Sequence, residues 1–142
     1  MSIWFKNYSI KDINDLSKNT LNENLGIEFL EITEDSVIGR MPVDSRTVQP
    51  FRILHGGASA SLAETLGSVS SMMCIDIDKH LAVGLELNIN HLRSAKNGFV
   101  MGYCKSIHLG KSTHVWGIEI NDDSGKLIAT SRITIMILDR KL

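Results

Sequence analysis

The sequence holds only two cysteines and two prolines, aromatic residues make up 6% of it, and its charges nearly cancel. Each shortage excludes something. Cys74 and Cys104 lie far apart and match no metal-ligand spacing, so neither a zinc module nor a disulfide scaffold is indicated. Residues 1–9 carry no apolar signal-peptide segment, so two reduced thiols in a cytoplasmic protein are the expectation. No apolar run approaches the roughly 20 residues of a membrane-spanning helix, and no membrane partner is expected. A formal net charge of −1 leaves no basic footprint for nucleic acid, so any anionic ligand must be met by a local patch. His80, His108 and His114 share no ligand spacing with a third residue, which gives no reason to expect a metal.

What is present reads as a globular chain. Apolar residues make up 43% and charged residues 22% of 142 positions. That length suits one domain over residues 1–142, large enough to bury a core without disulfide or metal. Residues 9–18 read as a short helix, with Ile10, Ile13 and Leu16 on one face and Ser9 with Asp12 resembling a capping box. Residues 26–33 and 36–43 read as a strand pair turning at Glu34 and Asp35. Residues 44–54 show no period and form a loop. A helix is expected over residues 57–73, with Leu62, Leu66, Val69 and Met73 as its buried stripe. Four strands follow, at residues 81–90, 98–108, 113–121 and 126–138. In the first, Leu81, Val83, Leu85, Leu87 and Ile89 alternate with smaller or polar residues. Two strands, one long helix and four more strands predict an α+β fold, an antiparallel sheet against one helix.

That helix has a peculiar composition. Between Gly56 and Cys74 the only charge is Glu64, so the helix lacks the charged solvent face of an ordinary surface helix. Sheet on one side and some other cover on the other are therefore expected. Ala60, Ser61, Ser68 and Ser71 make a small-residue face, and Glu64 points onto it, roughly 200° from Leu62. A partly desolvated lone carboxylate is a functional candidate, and composition alone weighs that evenly against a structural glutamate. His55-Gly56-Gly57 enters the helix, where the first backbone N–H groups lack intrahelical partners and can meet a carbonyl oxygen gaining negative charge. Gly56 and Glu64 stand about 12 Å apart along the axis, too far for both to reach one carbon from one chain. Two antiparallel helices would bring Glu64 of one chain near Gly56 of the other, which predicts a homodimer with shared active sites.

Residues 41–51 (MPVDSRTVQPF) and 54–68 (LHGGASASLAETLGS) resemble the bacterial hotdog-fold acyl-CoA thioesterases. Residues 84–95 (GLELNINHLRSA), His108-Leu109-Gly110, Val115-Trp116 and Ser131-Arg132 extend the resemblance over nearly the whole chain. The group includes 1,4-dihydroxy-2-naphthoyl-CoA hydrolase of menaquinone synthesis and related aryl- and acyl-CoA thioesterases. The resemblance implies a hotdog fold, about six strands wrapped around one helix, and hydrolysis of an aromatic or medium-chain acyl-CoA with no cofactor. It implies Glu64 as the carboxylate that attacks the thioester or activates water, and the Gly56 N–H as the group that polarises the carbonyl. Gln49 and His55 would line the reaction centre and assist thiolate departure, and Ser68 would help position the attacking group. His91 would lie near the pocket, although a strand-end histidine satisfied by its own neighbours fits that position equally. Arg93, Ser94 and the stretch His108, Gly110, Lys111 and Ser112 would contact coenzyme A, with Lys111 near phosphate. A homotetramer built as a dimer of dimers also rests on the resemblance. Two alternatives stay open: a hotdog dehydratase acting on 3-hydroxyacyl thioesters, and a non-catalytic acyl-CoA-binding protein.

Overall fold

A computed structural model describes residues 1–141. Two short helices come first, α1 (Ile10–Asp15) and α2 (Leu21–Leu25), then strands β1 (Glu28–Ile32) and β2 (Ser36–Pro42). The long helix α3 (Gly56–Met73) is followed by β3 (His80–His91), β4 (Phe99–Leu109), β5 (Thr113–Asp122) and β6 (Leu127–Asp139). The strands form one antiparallel sheet in the order β1-β2-β4-β5-β6-β3, and α3 packs across one face of it. This is the expected α+β arrangement.

Strand alternation chooses the core. His114, Trp116, Ile118 and Ile120 of β5 and Ser131, Ile133 and Ile135 of β6 turn inward onto α3, where Leu62, Leu66 and Met73 are fully buried. Gly39 and Gly102 face each other across β2 and β4. A Cβ at either would lie 2.8 or 2.5 Å from a methyl carbon of Leu66. Leu66 therefore sits in a socket that two glycines open, and the helix comes closer to the sheet than alanines would allow.

The buried stripe is not the expected one. Val69 is only half buried, while Ser59, Ala63, Gly67, Ser70 and Ser71 are buried with Leu62, Leu66 and Met73. At about 100° per residue the buried face is centred between Leu66 and Ser70, which turns Val69 onto its flank. Of the four small residues expected on an outer face, Ala60, Ser61 and Ser68 keep some exposure, while Ser71 is buried where the sheet approaches. Ser71, expected on that outer face, accepts a hydrogen bond from Trp116 Nε1 at 2.7 Å and lies 3.2 Å from His114 Nδ1. Glu64 falls at the edge of the buried face, half exposed.

At the N-terminus the capping box forms: Ser9 Oγ accepts from the Asp12 N–H, and the Asp12 carboxylate accepts from the Ser9 N–H. Helix α1 ends at Asp15, short of the expected residue 18, and Asn19 turns the chain at φ 59° into α2, which was not foreseen. Five residues carry too little periodicity to announce a helix. Thr65 Oγ1 donates to Asn22 Oδ1 at 2.8 Å, so α2 covers part of the uncharged outer side of α3.

The two sheet edges differ. On β1, Asn14 Nδ2 donates to the Phe29 carbonyl at 2.9 Å and Asn14 Oδ1 accepts from the Phe29 N–H at 2.8 Å, occupying main-chain groups that a further strand would need. On β3 no described strand covers the outer edge, and Leu81, Val83 and Leu85 are exposed by 39, 42 and 56%. The pairing of β3 with β6 shifts register between Gly84 and Glu86. That bulge moves the inward face from Ala82 to Leu87 and Ile89. The continuous alternation expected from Leu81 to Ile89 is thus broken at Leu85, because ladder pairing with β6, not the strand's own pattern, sets the register.

Candidate active site

The loop after β2 is more ordered than its lack of period suggested. Val48 and Leu54 form a β-bridge, the Gln49 N–H donates to the Ile53 carbonyl at 2.9 Å and the Arg52 N–H donates to the Gln49 carbonyl at 2.8 Å. Residues 48–54 are thereby a miniature hairpin, turned at Arg52 with φ 63°. The Leu54 N–H donates to the Ala95 carbonyl and the His55 N–H to the Thr47 carbonyl, both at 2.8 Å, which pins the hairpin where α3 begins. Gln49 Oε1 accepts from the Phe51 N–H. Its amide oxygen is then occupied, and the Nε2 donors are left for another acceptor.

His55 is the N-cap of α3, and its Nδ1 accepts from the Gly57 N–H at 2.7 Å. With Nδ1 accepting, the neutral ring carries its proton on Nε2. The Ala58 and Ser59 N–H groups donate to the His55 carbonyl. Of the first four donors of the helix, only the Gly56 N–H has no partner among the described residues. The His91 ring lies against Gly56, where a Cβ would sit 2.9 Å from its Nε2. Gln49, Leu54, Gly56, His91, Arg93 and Ser94 line a cavity of about 380 Å³, with His55 exposed beside it. Arg93 Nη1 is steadied by the Leu127 carbonyl at 3.1 Å. The fold has brought residues from the loop, the helix start and the end of β3 to one place.

Glu64 and Ser68 do not line that cavity. Ser68 Oγ lies 3.5 Å from Glu64 Oε1, the outer limit of a hydrogen bond, and Glu64 has no ion-pair partner among the described residues. Its carboxylate rests beside Gly84 on the open edge strand, a neighbour that the sequence reading passed over. The expected coenzyme A contacts are also divided. Gly110 and Lys111 line a second cavity of about 450 Å³ with Cys74, Asp76, His80 and His114. His108 packs its Nε2 beside Gly110, and the Ser112 carbonyl accepts from the Ile137 N–H at 2.8 Å. This cluster sits at the C-terminal end of α3, whose 18 residues span about 27 Å. One chain therefore keeps Arg93 and Ser94 apart from residues 108–112.

Burial pushes the thiols of Cys74 and Cys104 up to about 12, so neither is a thiolate nucleophile at neutral pH. Burial also lowers the pKa of His114, which keeps that ring neutral against Ser71. Among the described residues no group of three or more His, Cys, Asp or Glu could hold a metal ion, and no helix is long and apolar enough to cross a membrane.

A helix-start donor, a glutamine amide and a histidine around one cavity, with a carboxylate further along the same helix, suit polarisation and attack of an acyl carbonyl. The thioesterase superfamily model matches residues 51–129. The 1,4-dihydroxy-2-naphthoyl-CoA hydrolase of Escherichia coli is 46% identical over 96% of this chain and 99% of its own. A proofreading thioesterase of Cronobacter turicensis is 41% identical over 96% of this chain and 98% of its own. The crystal structure of a mutant thioesterase from Pseudomonas aeruginosa superposes with a TM-score of 0.97 at 42% identity, covering 98% of this chain and 100% of that one. The chain belongs to the thioesterase superfamily and has its hotdog fold. Its activity is thioester hydrolysis.

Proposed function

We propose that the protein hydrolyses an aromatic or medium-chain acyl-CoA to the free acid and coenzyme A, in active sites shared between two subunits. The named activity of the Escherichia coli relative makes 1,4-dihydroxy-2-naphthoyl-CoA the first substrate to try. The observation that carries the reading is the unpartnered Gly56 N–H on a cavity that also holds Gln49 and His91. A thioester carbonyl placed there accepts from Gly56 N–H, with Gln49 Nε2 as second donor, and negative charge gathering on its oxygen is stabilised by both. Glu64 of the partner subunit then attacks the carbonyl carbon or takes a proton from the water that does, and Ser68 steadies that carboxylate. As the C–S bond breaks, the departing sulfur takes a proton, for which His55 Nε2–H at the helix cap serves as donor. The products are a carboxylic acid and the coenzyme A thiol, with one water consumed.

The shared site rests on the spacing of about 12 Å between Gly56 and Glu64 and on the edges of the sheet. With β1 blocked by Asn14, the exposed β3 edge is where a second copy would pair. Antiparallel pairing of two β3 strands brings the His80 end of one beside the His91 end of the other. The Lys111 cavity of the partner then adjoins Arg93 and Ser94, and the phosphate contacts implied by the resemblance are reunited. Exposed Tyr103 and Ile107 on the outer face of β4 offer apolar surface for joining two dimers into a tetramer in the cytoplasm. The test is Glu64→Gln with thiol release followed from an aromatic acyl-CoA. Loss of at least about 100-fold in kcat is expected for removal of a reacting carboxylate, and hydrolysis at the wild-type rate would refute the mechanism.

A further inference from the structure

Strand β3 carries a glycine at its centre, Gly84, between Val83 and Leu85. Glycine weakens a strand, since it brings no side chain to pack and loses the most backbone freedom on folding. Backbone conformation does not demand it here: the glycines at positive φ are Gly26, Gly98 and Gly125. Space does. A Cβ at Gly84 would lie 2.4 Å from Glu64 Oε1, 3.5 Å from its Cδ and 3.9 Å from its Oε2, and these are its three nearest atoms. Gly39, Gly67 and Gly102 make room for Leu66 or Ile133 in the core. At Gly84 the neighbour is a carboxylate.

Two further observations bear on that contact. Among the described residues Glu64 is otherwise held only by Ser68 Oγ at 3.5 Å, so little else there fixes its oxygens. The bulge of β3 falls at the next residue, Leu85. Through it Gly84 can face the flank of α3 while Glu86 turns outward and Leu87 and Ile89 turn to the core. Without the bulge the Ala82–Gly84 face would continue into Glu86 and Asn88, placing a charge and an amide inward.

We propose that Gly84 is a positioning residue: the gap it leaves at the β3 edge seats the Glu64 carboxylate and aims it along the open edge, toward a site shared with a second subunit. The inference rests on the reading of Glu64 as the reacting carboxylate. It assigns the glycine beside the bulge to the reaction geometry, where a glycine in an exposed edge strand would otherwise count only as a local weakness.

The test is Gly84→Ala, alone and combined with Glu64→Asp. The alanine methyl must displace the carboxylate by about 1 Å to reach ordinary contact, and a misplacement of that size costs on the order of 100-fold in rate. We expect kcat to fall by that factor, KM to change less than about threefold and Tm to stay within a few degrees, because the displaced atoms are the tip of a flexible side chain. Glu64→Asp withdraws the carboxylate by one methylene and clears the methyl. In that background Gly84→Ala should therefore cost less than about threefold, a coupling that a general weakening of the strand would not produce. An equal loss in both backgrounds, or an unchanged kcat in the single variant, overturns the proposal. A crystal structure of Gly84→Ala gives a readout independent of activity: a displaced carboxylate supports the proposal, and an undisplaced one overturns it. Wild-type hydrolysis by Glu64→Gln would instead sink the underlying reading of Glu64 and leave the crystallographic comparison to judge the seat.

Discussion

If Glu64 acts on the cavity of the other subunit, two inactive variants should restore each other. Consider Glu64→Gln and Gln49→Ala, which remove the reacting carboxylate and the carbonyl donor. In a symmetric dimer each site takes Gln49, His55 and Gly56 from one chain and Glu64 from its partner. A mixed dimer then contains one site with both groups native and one site lacking both. Random reassortment of equal amounts makes half of the dimers mixed, each with one of its two sites intact, so the mixture should regain about a quarter of wild-type activity. The magnitude follows from the geometry: at about 12 Å separation along α3 a glutamate cannot reach the carbon held at Gly56 of its own chain. The assay is co-expression with two different tags, isolation of doubly tagged protein and thiol release from an aromatic acyl-CoA. Doubly tagged dimers should show about half of the wild-type rate per dimer. Activity no greater than the average of the two parents would show that each site is complete within one chain, and the shared-site argument would fall.

Other outcomes test the frame around that site. Leu66→Ala empties the socket between Gly39 and Gly102, whose walls are backbone and cannot collapse, so denaturant titration should show a loss of about 2–5 kcal/mol. The pKa of His114 is lowered from 6.5 by burial, so its stabilising effect is complete above the unfolded value near 6.5 and is lost as pH falls from there through the lower folded value. Tm measured between pH 7.5 and 5.5 should therefore fall less in His114→Asn than in wild type; equal slopes would contradict the assignment. With both thiols pushed up to about 12, iodoacetamide at neutral pH should leave hydrolysis unchanged, and inactivation protected by substrate would count against a carboxylate mechanism.

Much of the architecture was legible because its signals are local. Ser9 with Asp12 announced a helix start, the HGG entry announced another, and the alternation in residues 98–138 announced three hairpin-connected strands. Glu64 stood out as the one charge on an uncharged helix. The extent of the buried face was not legible, because Ser59, Gly67, Ser70 and Ser71 are small for the sheet's approach, and a hydropathy pattern cannot distinguish that from an outer face. Nor was the miniature hairpin at residues 48–54, which is held by hydrogen bonds to Thr47 and Ala95 that no period records.

The order of the six strands and the long helix, and the standing of Glu64 as the one charge on that helix, were thus legible in the sequence alone, since each depends on residues within a few positions of one another. Tertiary structure decided where that carboxylate rests and which edge of the sheet stays open. Gly84 meets Glu64 only because β3 pairs with β6 through a bulge, and β1 is closed only because Asn14 reaches Phe29 across the fold. Both depend on contacts between distant segments, whose register is set by pairing and packing and leaves no periodic trace in the chain.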